Sequence, residues 1–438
     1  MMQKFFQLLR YSIGASDEVP DITSEEEWND IYEMAAMQSI SAVLFYGVQK
    51  GDMRPPFQLL MDWVAAAGQI EEQNRTVNRV AVKFLAQLRQ DGFEGCILKG
   101  QGNNLLYPNV YSRMSGDVDV WVRKVERNKE LGMRNEELGV RNEELGVRNE
   151  ELGVRNEGLG VRNEGEESLE FLGEPSVLKI RLRVESIEEN VREVIRYVKE
   201  RNPKARAVYH HIDYGEFDEV EVEMHYRPSF MNNLIHNGRM QKWFEEVADE
   251  QFSHEVELPD EVGKVCVPTN AFNRIYQMSH LSRHLFHEGI GLRQILDYFF
   301  LLKGEKNNQF RVERVEELGV RNEELGVRNE ELGMTLKRLG LWKIAMAVMW
   351  VLHEVLGLEE EYLIAPMDER LGRVLLSEIM RGGNFGQYDE QNIKADNALK
   401  KNWQRICRDF RMMRYFPSEC LWEPLFRIWH FFWRIFRG

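Results

Sequence analysis

Cysteine is scarce in this chain of 438 residues: Cys96, Cys266, Cys407 and Cys420 stand far apart, with no CxxC pair among them. That scatter excludes a disulfide framework and a cysteine-built zinc site, and it points to a reduced, cytoplasmic setting. Long apolar runs are missing as well. No stretch reaches the roughly 18 consecutive apolar residues that a membrane-spanning helix requires. The opening MMQKFFQLLRYSIG is broken by Lys4, Gln7 and Arg10. It has no small-residue cleavage site, so it does not read as a secretory leader. Basic residues are in the minority, 57 Lys and Arg against 72 Asp and Glu, for a formal charge of −15. General binding to DNA or RNA backbones is therefore not expected, because it rests on neutralising phosphates. What is present, 43% hydrophobic and 11% aromatic residues, suffices for a packed core rather than a disordered chain.

A heptad is present in excess. Five units run from Glu130 to Glu164, ELGMRNE first and GLGVRNE last, and ELGVRNE returns twice from Glu317 to Glu330 before trailing into ELGM at Met334. Leu and Val stand two apart and then five, which does not make the alternating three-and-four seam of a coiled coil. Each unit also carries a glycine, costing about 1 kcal/mol against alanine in a helix interior. The repeats read as solvated insertions in surface loops, which accept extra length at small entropic cost. A functional interaction arm is the alternative.

With the repeats set aside, the length suggests two to three domains. Residues 1–92 read as helical, with apolar residues at helical spacing on either side of Pro55 and Pro56. Residues 93–236 form a core carrying the insert at 130–164. EGCILKG, GDVDVWV, ARAVYHHIDY and DEVEVEMHYRP have strand-like content, with SIEENVREVIRYVKER as a helix among them. Residues 237–438 return to helices, with the second insert at 317–334. The expected class is α+β, a small mixed sheet flanked by helical regions.

Within GDVDVWV, Asp117 and Asp119 lie two apart, so on a strand both carboxylates leave one face while Val118 and Val120 turn to the core. A second alternating strand carries Glu221, Glu223 and His225 on one face. Pairing it beside the first would bring a third carboxylate to the same spot. Three converging carboxylates can hold two Mg²⁺ ions, one activating a hydroxyl and the other steadying a triphosphate. Upstream, Gly100 and Gly102 in LKGQGNN offer backbone that a phosphate can approach closely, and Gly116 leaves the aspartates little covered.

The run LKGQGNNLLYP, then R-x-x-GDVDVWV and later VEVEMHYRP, resembles the uncharacterised nucleotidyltransferase family of the DNA polymerase beta-like nucleotidyltransferase superfamily. The helical HLSRHLFHEGIGLRQILDY resembles the helical part of its members. The resemblance spans about residues 20–300 without the first repeat. It implies that Asp117, Asp119 and Glu223 are catalytic and bind the metals, with Glu223 also helping to deprotonate the acceptor. It implies that Lys99 and Arg113, with Gly100, Gly102 and Gly116, meet the nucleotide. The sequence departs from the superfamily pattern in two places: Gly100-Gln101 stands where a Gly-Ser pair is common and lies further from the aspartates, and the third acid is Glu.

Other patterns have plainer readings. His280, His284 and His287 fall at i, i+4 and i+7, a spacing that can present zinc, but without HExxH they read as structural or substrate-lining. Arg293 and Asp297, four apart on a helix, read as an ion pair. The closing PLFRIWHFFWRIFRG puts Arg427, His430, Arg434 and Arg437 on one stripe. It suits packing on a protein core, or peripheral contact with an acidic membrane surface.

The expected function is a Mg²⁺-dependent nucleotidyltransferase moving a nucleoside monophosphate from an NTP to an acceptor hydroxyl and releasing pyrophosphate. The acceptor is left open among a sugar, a small metabolite and a protein side chain. The alternatives are a catalytically weak nucleotide-binding or interaction scaffold of the same fold, and a histidine-based metal hydrolase.

Overall fold

Ser24 and Glu27 start the first capped helix. In the computed structural model, which describes residues 2–125, 175–307, 321–388 and 398–437, the Ser24 side chain accepts from the Glu27 amide and the Glu27 carboxylate accepts from the Ser24 amide. This reciprocal cap sets where α2 (Glu25–Met37) begins after α1 (Met2–Ser12). Ser24→Ala is expected to cost about 1 kcal/mol, seen as a lower urea midpoint at unchanged slope. A midpoint equal to that of the wild type would mean the cap contributes nothing. After α3 (Ser41–Lys50) comes the 34-residue α4 (Phe57–Gln90). Its buried Trp63 packs against Trp28, Tyr32 and Phe45 and donates its indole N–H to Ser41 O at 2.8 Å.

The α+β class holds. β1 (Phe93–Ile97), a short α5 (Gly100–Asn104), β2 (Val118–Lys124), α6 (Pro175–Arg201), β3 (His211–Phe217) and β4 (Val220–His225) follow in order. The four strands form one sheet in the order β1-β2-β4-β3, with β4 parallel to β2 and antiparallel to β3. Val118, Val120, Val122, Val220, Val222 and Met224 bury one face of β2 and β4, as period-two alternation requires. α4 packs on β1, and Gly95 permits the approach, because a Cβ there would meet Leu85 at 2.5 Å and Val120 at 2.9 Å. β3 and β4 join through Asp218 and Glu219, both at positive φ (47° and 70°), the conformation of a two-residue hairpin turn.

After α7 (Leu234–Glu246) and α8 (Ala248–Ser253) comes a hairpin that corrects the expectation of helices alone: β5 (Glu255–Leu258) pairs antiparallel with β6 (Gly263–Cys266). Four-residue strands carry too little alternation to stand out in sequence. Then come α9 (Asn270–His287), α10 (Leu292–Asn307), α11 (Arg321–Arg338), α12 (Trp342–Trp350), α13 (Glu369–Gly382), α14 (Ala398–Met413) and α15 (Pro417–Arg437). The first repeat lies outside the described residues. The last heptad of the second lies within α11, whose end packs through the buried Leu336. Contacts divide the chain into a unit of Met1–Arg123 with Arg192–Gly438, which holds the site below, and a unit of Lys124–Val191. All four cysteines are free thiols, and no helix among the described residues is long and apolar enough to cross a membrane.

Candidate active site

The parallel pairing of β2 with β4 brings the acids together. In its register Asp119 stands opposite Glu223 and Trp121 opposite His225. The β3 pairing adds a further row, with His211 opposite His225 and Asp213 opposite Glu223. Partners directly across a ladder share a face, so five polar side chains collect on one patch of sheet. His225 Nε2 donates to Asp119 Oδ1 at 2.8 Å and lies 3.4 Å from Glu223 Oε2, while His211 Nδ1 lies 3.4 Å from the same oxygen. Asp117, one residue before β2, opens onto the cleft above. Glu221, expected on the same face, is exposed and stands opposite Glu216, away from the cleft lining.

Lys99 reaches Asp119 through a strained backbone. Its φ of 56° and ψ of −134° fall in a region that non-glycine residues occupy at a cost of about 1–3 kcal/mol, and Gly100 follows at φ 40°. The kink turns the chain from β1 into α5 and sets Lys99 Nζ 2.8 Å from Asp119 Oδ2 and 2.8 Å from His280 Nε2. Gly102, expected at the phosphate, does not line the cleft. A Cβ at Gly102 would meet Val267 at 3.2 Å, so close packing accounts for that glycine.

The loop between α5 and β2 is held from below. Buried Asn74 of α4 donates to Tyr111 O at 2.9 Å and to Arg113 O at 2.8 Å, and accepts from Asn104 Nδ2 at 2.8 Å. Arg113, expected to face the triphosphate, lines the cleft, is largely buried and donates twice to Asp297, at 2.7 and 2.9 Å. Tyr107 donates to the same carboxylate at 2.7 Å. Asp297 is thus the bidentate partner of Arg113, while Arg293, its expected helical partner, lines the cleft and donates to Met114 O at 2.8 Å.

The charges perturb one another strongly. The Asp119 charge, then burial, raise the Asp117 pKa to about 6, with Lys99 pulling the other way. Burial works against charge on Asp119, but Lys99 and the His225 hydrogen bond outweigh it and hold its pKa well below the usual range. Burial likewise opposes a charged His225, yet hydrogen bonds to Asp119 and Glu223 raise its pKa. The Glu223 pKa is lowered, burial being overcome chiefly by its bond with His225. An imidazolium between two carboxylates is the arrangement these shifts describe.

The α9 histidines do not form a zinc triad. His280 and His284 lie 3.0 Å apart by their Nε2 atoms and line the cleft, both kept neutral by burial, His284 at about 4. His287 points elsewhere and donates to Asn232 Oδ1 at 3.0 Å. Among the described residues, the convergent metal-capable sets are Asp119 with Glu223 and His225, His211 with Asp213 and Glu223, and His210 with His211 and His225. None includes an α9 histidine. His211, Gln277, Arg283 and Glu288 line the cleft as well, and sequence reasoning missed them. For His211 the turn alone misleads: regular pairing from Asp218-Glu219 would set Ile212 opposite His225, and a bulge between Asp213 and Gly215 shifts the register by one and brings His211 there instead.

The donor set fits a hard divalent cation. Asp119, Glu223 and His225 bring ligand atoms within 4.8 Å of one another, and Asp117 lines the same cleft without joining that set. A family model described as uncharacterised nucleotidyltransferase matches residues 24–329, a span containing every cleft residue named here. No curated protein and no solved structure gives a match. Nucleotidyl transfer is the chemistry this family's description names, and over that span the chain belongs to the uncharacterised nucleotidyltransferase family.

Proposed function

We propose that the protein moves a nucleoside monophosphate from an NTP to an acceptor hydroxyl on a sugar, a small metabolite or a protein side chain, in the cytoplasm, with two Mg²⁺ ions. The observation that carries this reading is the register setting Asp119 beside Glu223 across β2 and β4, with Asp117 opening onto the same cleft. The acceptor oxygen bonds to the α-phosphorus while the bond to the pyrophosphate oxygen breaks. Glu223, hydrogen-bonded by His225, takes the acceptor's proton. Lys99 and Arg293 supply cationic charge to the phosphoryl oxygens, since this transfer depends on positioning and electrostatics. Mg²⁺ held by Asp117, Asp119 and Glu223 would neutralise triphosphate charge and favour ionisation of the acceptor hydroxyl.

One observation favours a second reading, a catalytically weak nucleotide-binding scaffold: both Asp119 oxygens are already engaged, by Lys99 and by His225. Incubation with each α-labelled NTP, Mg²⁺ and cell extract separates the two. Transferred label that disappears in Asp117→Asn/Asp119→Asn supports the enzyme and identifies base and acceptor. Nucleotide binding without transfer, equal in wild type and variant, supports the scaffold.

Metal affinity is expected to depend on pH through Asp117. A cation binds its carboxylate form, so affinity is level well above pH 6 and falls as Asp117 takes up its proton around and below about 6. The Mg²⁺ dissociation constant by calorimetry should be about tenfold weaker at pH 5 than at pH 7. A constant that is flat over that range would remove Asp117 from the metal site.

A further inference from the structure

The last two helices segregate their charge. Residues 398–437 hold nine Lys and Arg against three acids in a chain of net charge −15. Those acids, Asp409, Glu419 and Glu423, are all buried. Glu419 accepts from Asn232 N at 2.9 Å, and Glu423 lies 3.6 Å from Arg427. One face of α15 is docked. Phe426 and Trp433 are buried on it, both rings meet Tyr209, and Phe426 stacks on Phe230 at 4.9 Å.

The opposite face is apolar and open. Leu421, Leu425, Ile428, Phe432 and Ile435 recur at helical spacing and are each more than half exposed, with Phe431 beside them. At 100° per residue, Arg427 and Arg434 border this stripe on one side and Trp429 on the other. α14 adds exposed Ile406 and Phe410, and exposed Arg414 follows it. The core-packing reading of the closing helix thus describes one of its faces, and the other is left open.

The charge pattern identifies what the open face suits. Pairing with a second copy would set arginine borders against arginine borders with no exposed acid on these two helices to meet them. A bilayer with anionic headgroups offers the complement: phosphates for the arginines, the headgroup boundary for Trp429, and acyl chains for Leu, Ile and Phe. We propose that this face of α15 lies in the plane of an anionic membrane surface without crossing it.

Co-sedimentation of the full chain with vesicles of phosphatidylcholine mixed with phosphatidylglycerol tests this, with phosphatidylcholine alone as the reference. The wild type should pellet with the mixed vesicles and be released by salt. Ile428→Ser/Phe432→Ser and Arg414→Glu/Arg434→Glu should each bind at least about tenfold more weakly. All these side chains are exposed, so the melting temperature should hold and show that loss of binding is not unfolding. No pelleting of wild type with anionic vesicles would overturn the proposal, as would equal pelleting of the serine variant. A dimer in sedimentation velocity that the serine variant breaks would instead assign the face to self-association.

Discussion

Asp117→Asn is expected to lower nucleotidyl transfer by about 10³-fold while making the protein more stable, and Asp119→Asn to lower both. The two acids share a cleft but differ in how their charge is met. Asp119 is buried with Lys99 on one oxygen and His225 on the other. Removing its charge strands two cations, and breaking a buried pair this way costs about 3 kcal/mol. Asp117 faces the cleft and is repelled by Asp119, which places its pKa at about 6. Because that folded value lies above the unfolded one, the ionised carboxylate destabilises the protein above pH 6, and asparagine removes the penalty. The gain should be about 1 kcal/mol at pH 8 once solvent screening is allowed for. It should shrink as pH falls from 6 toward about 4, where the wild-type carboxyl is protonated in both states. Urea unfolding at pH 8 and pH 5 reads the stability, and α-labelled NTP reads the transfer. An Asp117→Asn protein that is stable but still active would dismiss the catalytic reading of this residue.

Arg113→Ala should destabilise the protein by about 3–5 kcal/mol, and Asp297→Ala by a similar amount. Each leaves the other's charge largely buried at the edge of the cleft: Asp297 accepts two bonds from Arg113 and one from Tyr107. Arg113→Met/Asp297→Leu should regain most of the loss, since an apolar pair of similar volume avoids the desolvation that the ions require. Tyr107→Phe, which removes one neutral donor, should cost only about 1–2 kcal/mol. Urea midpoints across the four variants measure this. Equal losses in the single and double variants would mean that side-chain packing, not charge, is what Arg113 contributes. The pair also ties the loop ahead of Asp117 to α10, so the destabilised variants should lose transfer as well.

Much of the site was legible because strand periodicity is local. Asp117 and Asp119 two apart, with valines between and after them, already place two carboxylates on one face, and the alternation in VEVEMH marks the strand that brings Glu223. Elsewhere the structure adds long-range partners that local spacing does not show. Asp297 pairs bidentately with Arg113, 184 positions away, an arrangement that burial rewards, while its helical neighbour Arg293 acts on it only as a further nearby charge. Gly102 reads locally as a phosphate loop, yet it serves contact with Val267.

The amino-acid sequence alone determined the family, the α+β class and the acids on and just before two strands, since alternation and motif spacing are properties of the chain taken in order. Tertiary structure decided what each charge meets: Lys99 bent by a strained backbone onto Asp119, His225 set between two carboxylates, and His211 added through the β3 register. It also decided that the closing helix turns its acids inward and an apolar, arginine-bordered face outward. The physical reason is the same in each case. Coulombic and desolvation energies depend on distance and burial in space, and neither is a function of separation along the chain.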